Sequence, residues 1–180
     1  MIKKFFRALE VNGVDYMLIS VQASVLYGAA TFSEDIDLWV QPTADNWKIF
    51  VKALGEVNAT IYKLTPPISS EFINKGHGFH FKIPGENGGN PCFLDVMGVP
   101  PRVDSFGNCW KNVSFLHTEW GRLPVISVRD LVELKKTRRL EDYPVISNLV
   151  KIAFDTRYNK DADELVWILQ NSFNLDDIIS

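Results

Sequence analysis

The sequence lacks the features that mark several broad classes of protein. Its 180 residues contain no apolar run close to the roughly 18 residues of a membrane span, and no internal repeat or low-complexity segment. Only two cysteines are present, Cys92 and Cys109, and their spacing does not match a metal site, so free thiols are expected. These absences argue against a transmembrane helix, a cysteine-based metal centre and a repeat architecture.

Basic residues are also few. Lysine and arginine number 19 against 22 acidic residues, which gives a net charge of −3 and a pI near 5.6. A general nucleic-acid coat protein needs a broad basic surface, so this balance argues against one while allowing a local basic site. Residues 1–13 favour an amphipathic helix over a signal peptide, because Glu10 and Asn12 interrupt any apolar core. A cytoplasmic location is therefore predicted.

Hydrophobic residues make up 46% of the chain and aromatic residues 12%, which is enough for a folded core. The predicted elements are helices at 2–12, 21–27, 44–56, 127–137, 142–152 and 161–171, and strands at 15–19, 35–40, 60–64, 78–83, 92–97, 113–117 and 124–126. Their order predicts an α+β fold with a mixed sheet flanked by helices. We expect residues 1–126 to form the core and residues 127–180 to form a C-terminal helical segment packed on it, as one compact unit.

Two acids, Asp35 and Asp37, lie one residue apart in the alternating segment DIDLWV. On a strand both side chains leave the same face, where two carboxylates repel each other unless a cation lies between them. Mg²⁺ prefers such oxygen ligands. The alternative interpretation is the polar outer face of an edge strand.

A third acid, Asp95, lies in the apolar segment FLDVM, where it is costly unless paired, bound to metal or directed at solvent. If its strand neighbours that of Asp35, three carboxylates can meet one or two metal ions. The alternative is an exposed strand position. The turn sequence PGENGGNP predicts a hairpin, and a symmetrical turn places His80 opposite Asp95, where it could orient that carboxylate. An ordinary surface imidazole is the alternative for His80.

Ser20 follows the first strand at the predicted start of a helix. The unpaired N–H groups and the positive dipole end of a helix start suit a phosphate. Ser20 is expected either to cap this helix or to donate its hydroxyl to a phosphate.

Together these residues resemble the nucleotidyltransferase superfamily with the polymerase-beta-like fold, and in particular its minimal and AbiEii-like bacterial members. The segments LISVQASVLYG, AATFSE, DIDLWV and FLDVMG follow the family order, and LVELKKTRRLEDYPVISNL resembles its later helical element. The resemblance covers about residues 5–150. Three positions depart from the family pattern: Ser20-Val21 replaces a Gly-Gly or Gly-Ser pair, Thr31 replaces an arginine, and Ser33 stands where threonine is usual.

The resemblance implies roles for the matching residues. Asp35, Asp37 and Asp95 would hold Mg²⁺, with two ions expected, and Asp95 could instead activate the acceptor hydroxyl. Nucleotide contacts are expected from four residues: Ser20, Ser33, Lys135 and Asp142. For Lys135 and Lys136 the alternative is a solvated helix face. Arg138 and Arg139 are expected either to bind a nucleic-acid backbone or to favour a helix C-terminus.

The resemblance predicts transfer of a nucleoside monophosphate from an NTP to a hydroxyl on a small molecule, a protein or a tRNA. The three departures favour a second hypothesis, a degenerate member of the fold that acts as a binding or regulatory partner, for example in a toxin–antitoxin pair. A phosphohydrolase using the same acids is a third.

Overall fold

The computed structural model describes residues 1–156 and 161–173. Within them the strands are β1 (Tyr16–Leu18), β2 (Asp35–Val40), β3 (Thr60–Ile61), β4 (Gly78–Ile83), β5 (Cys92–Met97), β6 (Ser114–Thr118) and β7 (Gly121–Val125). The helices are α1 (Ile2–Asn12), α2 (Ser20–Leu26), α3 (Ala44–Glu56), α4 (Ser70–Asn74), α5 (Phe106–Trp110), α6 (Val128–Lys135), α7 (Asp142–Thr156) and α8 (Ala162–Asn171). No helix in the described part of the chain is both long and apolar enough to cross a bilayer.

The strands form one mixed sheet in the order β3-β4-β5-β2-β1-β7-β6. Strand β5 runs parallel to β2 on one side and antiparallel to β4 on the other. Alternation in the sequence gave the correct bounds for β2, β4 and β5, and the hairpin of β4 with β5 is confirmed. The structure therefore confirms the predicted α+β class with a mixed sheet and flanking helices.

The apolar face of the sheet packs on α3. Trp47 lies 4.9 Å from Phe79 and Phe50 lies 6.3 Å from Phe81, between ring centroids. All four side chains are buried. Because side chains alternate along β4, His80 between these two phenylalanines faces the opposite side of the sheet, together with Asp95.

Two helix ends agree with their sequence signals. Gly13 ends α1 in the left-handed conformation, at φ 70°, which glycine adopts without steric cost. At the start of α6 the hydroxyl of Ser127 accepts a hydrogen bond from the Asp130 backbone N–H, which is an N-cap contact that serine favours.

Other boundaries differ from the predictions. The strand expected at 60–64 is reduced to Thr60–Ile61, and α4 and α5 were not predicted. Each of these two helices has five residues, which is too short for a helical period to be visible in the sequence. Helix α6 packs on α2 and α7, and α7 packs on α8. The domain boundary at residue 126 stays a prediction, and residues 157–160 and 174–180 of its second part lie outside the described residues.

Candidate active site

Asp35, Asp37 and Asp95 lie on one face of two neighbouring strands. In the parallel pairing of β2 with β5, Asp37 is directly opposite Asp95, and Asp35 is opposite Phe93. Backbones of paired strands are about 4.8 Å apart, so the carboxylates of Asp37 and Asp95 are neighbours. All three acids are partly exposed.

The crowding of these acids changes their ionisation. Burial and the charge of Asp95 raise the pKa of Asp37 to about 7, although a hydrogen bond with Ser20 opposes the rise. Burial and the charge of Asp95 also raise the pKa of Asp35. The site therefore resists the accumulation of negative charge, and a cation that neutralised it would be favoured.

Further along β2, aromatic side chains cover the face of the sheet that carries the three acids. Trp39, two residues beyond Asp37, is 1% exposed and donates its indole N–H to the Gly98 carbonyl oxygen over 2.8 Å. Phe106 of α5 meets its ring edge-on, with 5.5 Å between centroids. The acids thus occupy the open end of a face that aromatic side chains cover elsewhere.

Ser20 differs from its predicted role as a helix cap. The N-cap of α2 is Ile19, and Ser20 is the first helical residue, in the left-handed region at φ 59°. That region is unfavourable for residues other than glycine. The side chain of Ser20 does not cap the helix, and it lies close enough to Asp37 to favour the ionised form of that carboxyl and oppose the rise in its pKa. Ser20 therefore links the start of α2 to the acidic site.

Lys135 is buried beside the site. It is 5% exposed, and its ammonium donates to Asp142 Oδ1 over 3.2 Å. The expectation of a solvated helix face is therefore wrong for Lys135. Its charge also opposes the rise in the pKa of Asp37, so it lies within electrostatic reach of the acids.

Asp142 holds this lysine in a network of polar contacts. Its second oxygen, Oδ2, accepts a hydrogen bond from Thr137 and lies 3.5 Å from Arg139 Nε. Burial opposes ionisation of Asp142, but Thr137 and Lys135 outweigh it, and the pKa of Asp142 is lowered. Asp142 is thus an anionic partner of Lys135.

Several other predicted residues lie elsewhere. The hydroxyl of Ser33 donates to the backbone carbonyl of Asp35 over 2.8 Å, so in this structure it stabilises the start of β2. Lys136 forms an ion pair with Glu133 at the surface. Thr31 and Arg138 are exposed. In the described part of the chain, none of these four side chains forms a hydrogen bond or ion pair with a carboxylate of the three acids.

His80 occupies the position that a symmetrical hairpin predicts. It pairs with Asp95 across β4 and β5, and its Nδ1 lies 2.7 Å from Asp95 Oδ1. The predicted position of His80 opposite Asp95 is confirmed, and its ring contacts that carboxylate. An orienting role for His80 stays a prediction.

Two residues of the site were missed in the sequence, Tyr62 and Lys63. The Tyr62 hydroxyl lies 3.5 Å from Asp95 Oδ1, and the Lys63 ammonium lies 4.7 Å from the centre of the Tyr62 ring. A hydrogen bond with Tyr62 and the charges of Asp95 and Asp35 raise the pKa of Lys63. Both residues follow the two-residue strand β3, in a segment without periodicity that could have identified them.

Known proteins match this chain through their structures. No protein-family model matches the sequence, and no curated protein matches it significantly. A nucleotidyltransferase-like antigenic protein from Paracoccidioides brasiliensis is 16% identical over 94% of this chain and 86% of its own, with a TM-score of 0.56. The lincosamide antibiotic adenylyltransferase LnuA, solved with lincomycin bound, is 17% identical over 82% of this chain and 92% of its own, with a TM-score of 0.53. The fold is nucleotidyltransferase-like.

At identities of 16% and 17% the similarity establishes the fold, and the activity has to be argued from this chain's own residues. The resemblance inferred from the sequence is confirmed at the level of the fold. Its finer assignment to minimal or AbiEii-like members stays a prediction, as do the roles assigned to individual residues.

The three acids of this nucleotidyltransferase-like fold carry donor atoms that suit Mg²⁺. All are carboxylate oxygens, the ligands that hard cations prefer, and they repel one another without a cation. Within residues 1–156 and 161–173, however, no group of three His, Cys, Asp or Glu side chains has the arrangement of a metal site as it stands. Mg²⁺ is commonly held by one or two carboxylates together with water and substrate phosphates. Asp35, Asp37 and Asp95 therefore fit a site that is completed by a bound nucleotide.

Proposed function

We propose that the protein is a metal-dependent nucleotidyltransferase that moves a nucleoside monophosphate from an NTP to a hydroxyl acceptor. The observation that carries the proposal is the placement of Asp37 opposite Asp95, with Asp35 on the same face and a buried lysine, Lys135, within electrostatic reach. The fold shared with an adenylyltransferase supports it.

Asp35, Asp37 and Asp95 would hold Mg²⁺, which when bound neutralises phosphate charge and polarises the phosphoryl group that is transferred. Lys135 contributes a second positive charge, and Asp142 keeps that lysine in place. Ser20 lies at the start of α2 beside Asp37. There its hydroxyl can leave the carboxylate and donate a hydrogen bond to a phosphate oxygen. Positioning and charge stabilisation by these residues account for most of the catalysis that we propose.

The acceptor is a small molecule, a protein or a tRNA end. The adenylyltransferase with a similar fold was solved with lincomycin bound, which makes small hydroxylated compounds the first acceptors to test. Cytoplasmic location and membership of the minimal or AbiEii-like group remain part of the proposal.

The proposal is tested by incubating the protein with each labelled NTP, Mg²⁺ and a total lysate, and by asking which molecule becomes labelled. Asp37→Ala should abolish transfer while the protein stays folded. Asp45→Ala is the matched control, since Asp45 is an exposed acid of α3 that pairs with Lys48 away from the site. Transfer that survives Asp37→Ala would show that the assigned site is wrong, and release of free phosphate in place of a labelled acceptor would favour a phosphohydrolase.

A second candidate is a degenerate nucleotidyltransferase fold that acts as a binding or regulatory partner, as in a toxin–antitoxin pair. Two observations favour it: Ser20 takes a left-handed conformation that suits glycine, and Val21 follows it with a β-branched side chain. Titration with NTP and Mg²⁺ separates the two candidates. A folded protein that binds no nucleotide at millimolar concentration would favour the partner role.

A further inference from the structure

Asp95 is held from one side by His80. The two residues are paired in the hairpin, and Nδ1 of His80 lies 2.7 Å from Oδ1 of Asp95. An ionised carboxylate can only accept, so in that state the ring proton lies on Nδ1 and is donated to Asp95. The other edge of the ring lies over Gly78, where a Cβ would be 3.5 Å from both Cε1 and Nε2. The imidazole is therefore oriented with Nδ1 towards the carboxylate.

Tyr62 approaches the same oxygen. Its hydroxyl lies 3.5 Å from Asp95 Oδ1, and its ring meets the His80 ring edge-on, with 6.2 Å between centroids. Phe93 also packs against the tyrosine, at 4.7 Å between ring centroids. Two aromatic neighbours thus keep the Tyr62 hydroxyl near Asp95.

Both contacts involve one oxygen of the carboxylate. Oδ2 of Asp95 has no hydrogen-bond partner among the residues that the structure describes. The side chains of His80 and Asp95 are 27% and 28% exposed, so the pair is partly shielded from water while Asp95 stays accessible.

We propose that His80 and Tyr62 are positioning residues that fix Asp95 as a metal ligand, with Oδ2 as the oxygen that meets the metal. The inference rests on the proposed function and names residues that the resemblance did not. Groups that hydrogen-bond to a ligating carboxylate orient it before the metal arrives, and their loss commonly weakens metal binding about 10–100-fold. Asp37 and Asp35 have no histidine partner in the described contacts, so Asp95 is the acid of the three that a histidine orients.

Metal affinity measured without substrate tests this inference. The full chain is titrated with Mn²⁺ as a paramagnetic substitute for Mg²⁺, and the concentration of free Mn²⁺ is followed by electron paramagnetic resonance. His80→Ala should weaken binding about tenfold or more, and Tyr62→Phe should weaken it by a smaller factor because its contact is longer. His80→Asn places an amide N–H near the position of Nδ1 and should restore affinity, whereas His80→Gln places it one bond further away and should not.

His117→Ala is the matched control, since His117 is an exposed histidine of another strand, β6. Equal affinity of wild type, His80→Ala and His80→Gln would overturn the inference while leaving a metal site that Asp37→Ala abolishes. Because a bound nucleotide would complete the site, the titration is repeated with a non-hydrolysable NTP. A wild-type protein that binds no Mn²⁺ alone, and none beyond that held by the nucleotide, would overturn both the inference and the proposed metal dependence. If His80→Ala does not fold, the comparison of His80→Asn with His80→Gln decides, and equal affinities in that pair would reject the positioning role.

Discussion

Asp37 lies directly opposite Asp95 in the parallel pairing of β2 with β5, and their carboxylates share one face of the sheet. Burial and the charge of Asp95 raise the pKa of Asp37 from 3.8 to about 7. Between these two values the folded protein holds a proton that the unfolded chain has released. Because the folded state binds more protons there, the free energy of unfolding falls as the pH rises through this window.

The first prediction is that Asp37→Asn stabilises the metal-free protein above neutral pH. At about pH 8 the variant should exceed wild type by about 1–3 kcal/mol, since each pKa unit corresponds to about 1.4 kcal/mol and water screens part of the repulsion. Urea unfolding in EDTA, compared at about pH 5 and about pH 8, measures the difference.

Asp45→Asn is the control for this experiment, because Asp45 is 94% exposed and lies outside the site. It should retain the wild-type dependence on pH. If Asp37→Asn loses as much stability as wild type on going to about pH 8, the loss arises from other groups.

The second prediction concerns Mg²⁺ itself. At about 100 times its dissociation constant a ligand stabilises the folded state by about 2.7 kcal/mol, which raises the Tm of a chain of this size by about 5–10 °C. The effect should be larger at about pH 8 than at about pH 6, because the metal must displace the proton on Asp37. Thermal unfolding with Mg²⁺ and with EDTA measures it, and an equal rise in Tm for Asp37→Ala would exclude Asp37 as a ligand.

Much of the central sheet could be predicted because its strands carry strong alternation. The bounds of β2, β4 and β5 follow from that alternation, and the turn residues between β4 and β5 were enough to place His80 opposite Asp95. The convergence of Asp37 and Asp95 could be predicted only on the assumption that their strands are neighbours, because no local pattern determines which strand lies beside β2.

The rest of the site depends on long-range packing. Lys135 at the end of α6 pairs with Asp142 at the start of α7. From the sequence alone, Lys135 could be assigned only to phosphate binding or to a solvated helix face. The left-handed conformation of Ser20 is set by the strand and helix around it, since serine has no preference for that region. Tyr62 reaches Asp95 only because β3 pairs with β4 at the edge of the sheet.

The third prediction is that the buried ion pair is required for folding stability. Asp142→Ala leaves the Lys135 ammonium buried without its anionic partner, which should destabilise the protein by about 3–5 kcal/mol. Glu133→Ala removes an ion pair of the same helix at the surface and should cost about 0–1 kcal/mol. Urea unfolding near neutral pH compares the two, and similar losses in both variants would contradict the importance of burial.

The same two proteins should also differ in how much folding stability they lose as the pH falls. Because the pKa of Asp142 is lowered in the folded state, its contribution is fully present above 3.8 and is lost as the pH falls through the folded value. Wild type should therefore lose more stability on acidification than Asp142→Ala does. Equal losses would show that Asp142 is not ionised in the folded protein.

The fourth prediction addresses the departure of Ser20-Val21 from a glycine-containing pair. At φ 59° a residue other than glycine is strained by about 1–2 kcal/mol, and Val21 adds bulk where a phosphate would approach. The double variant Ser20→Gly with Val21→Ser should bind ATP with Mg²⁺ about threefold to tenfold more tightly, measured by calorimetry. Ser33→Gly, which removes a hydroxyl that donates to the Asp35 carbonyl, should bring no gain. Weaker binding in the double variant would show that the Ser20 hydroxyl is itself a phosphate ligand, and absence of binding in every variant would favour the partner role, because restoring the glycine would then not be enough to restore a nucleotide site.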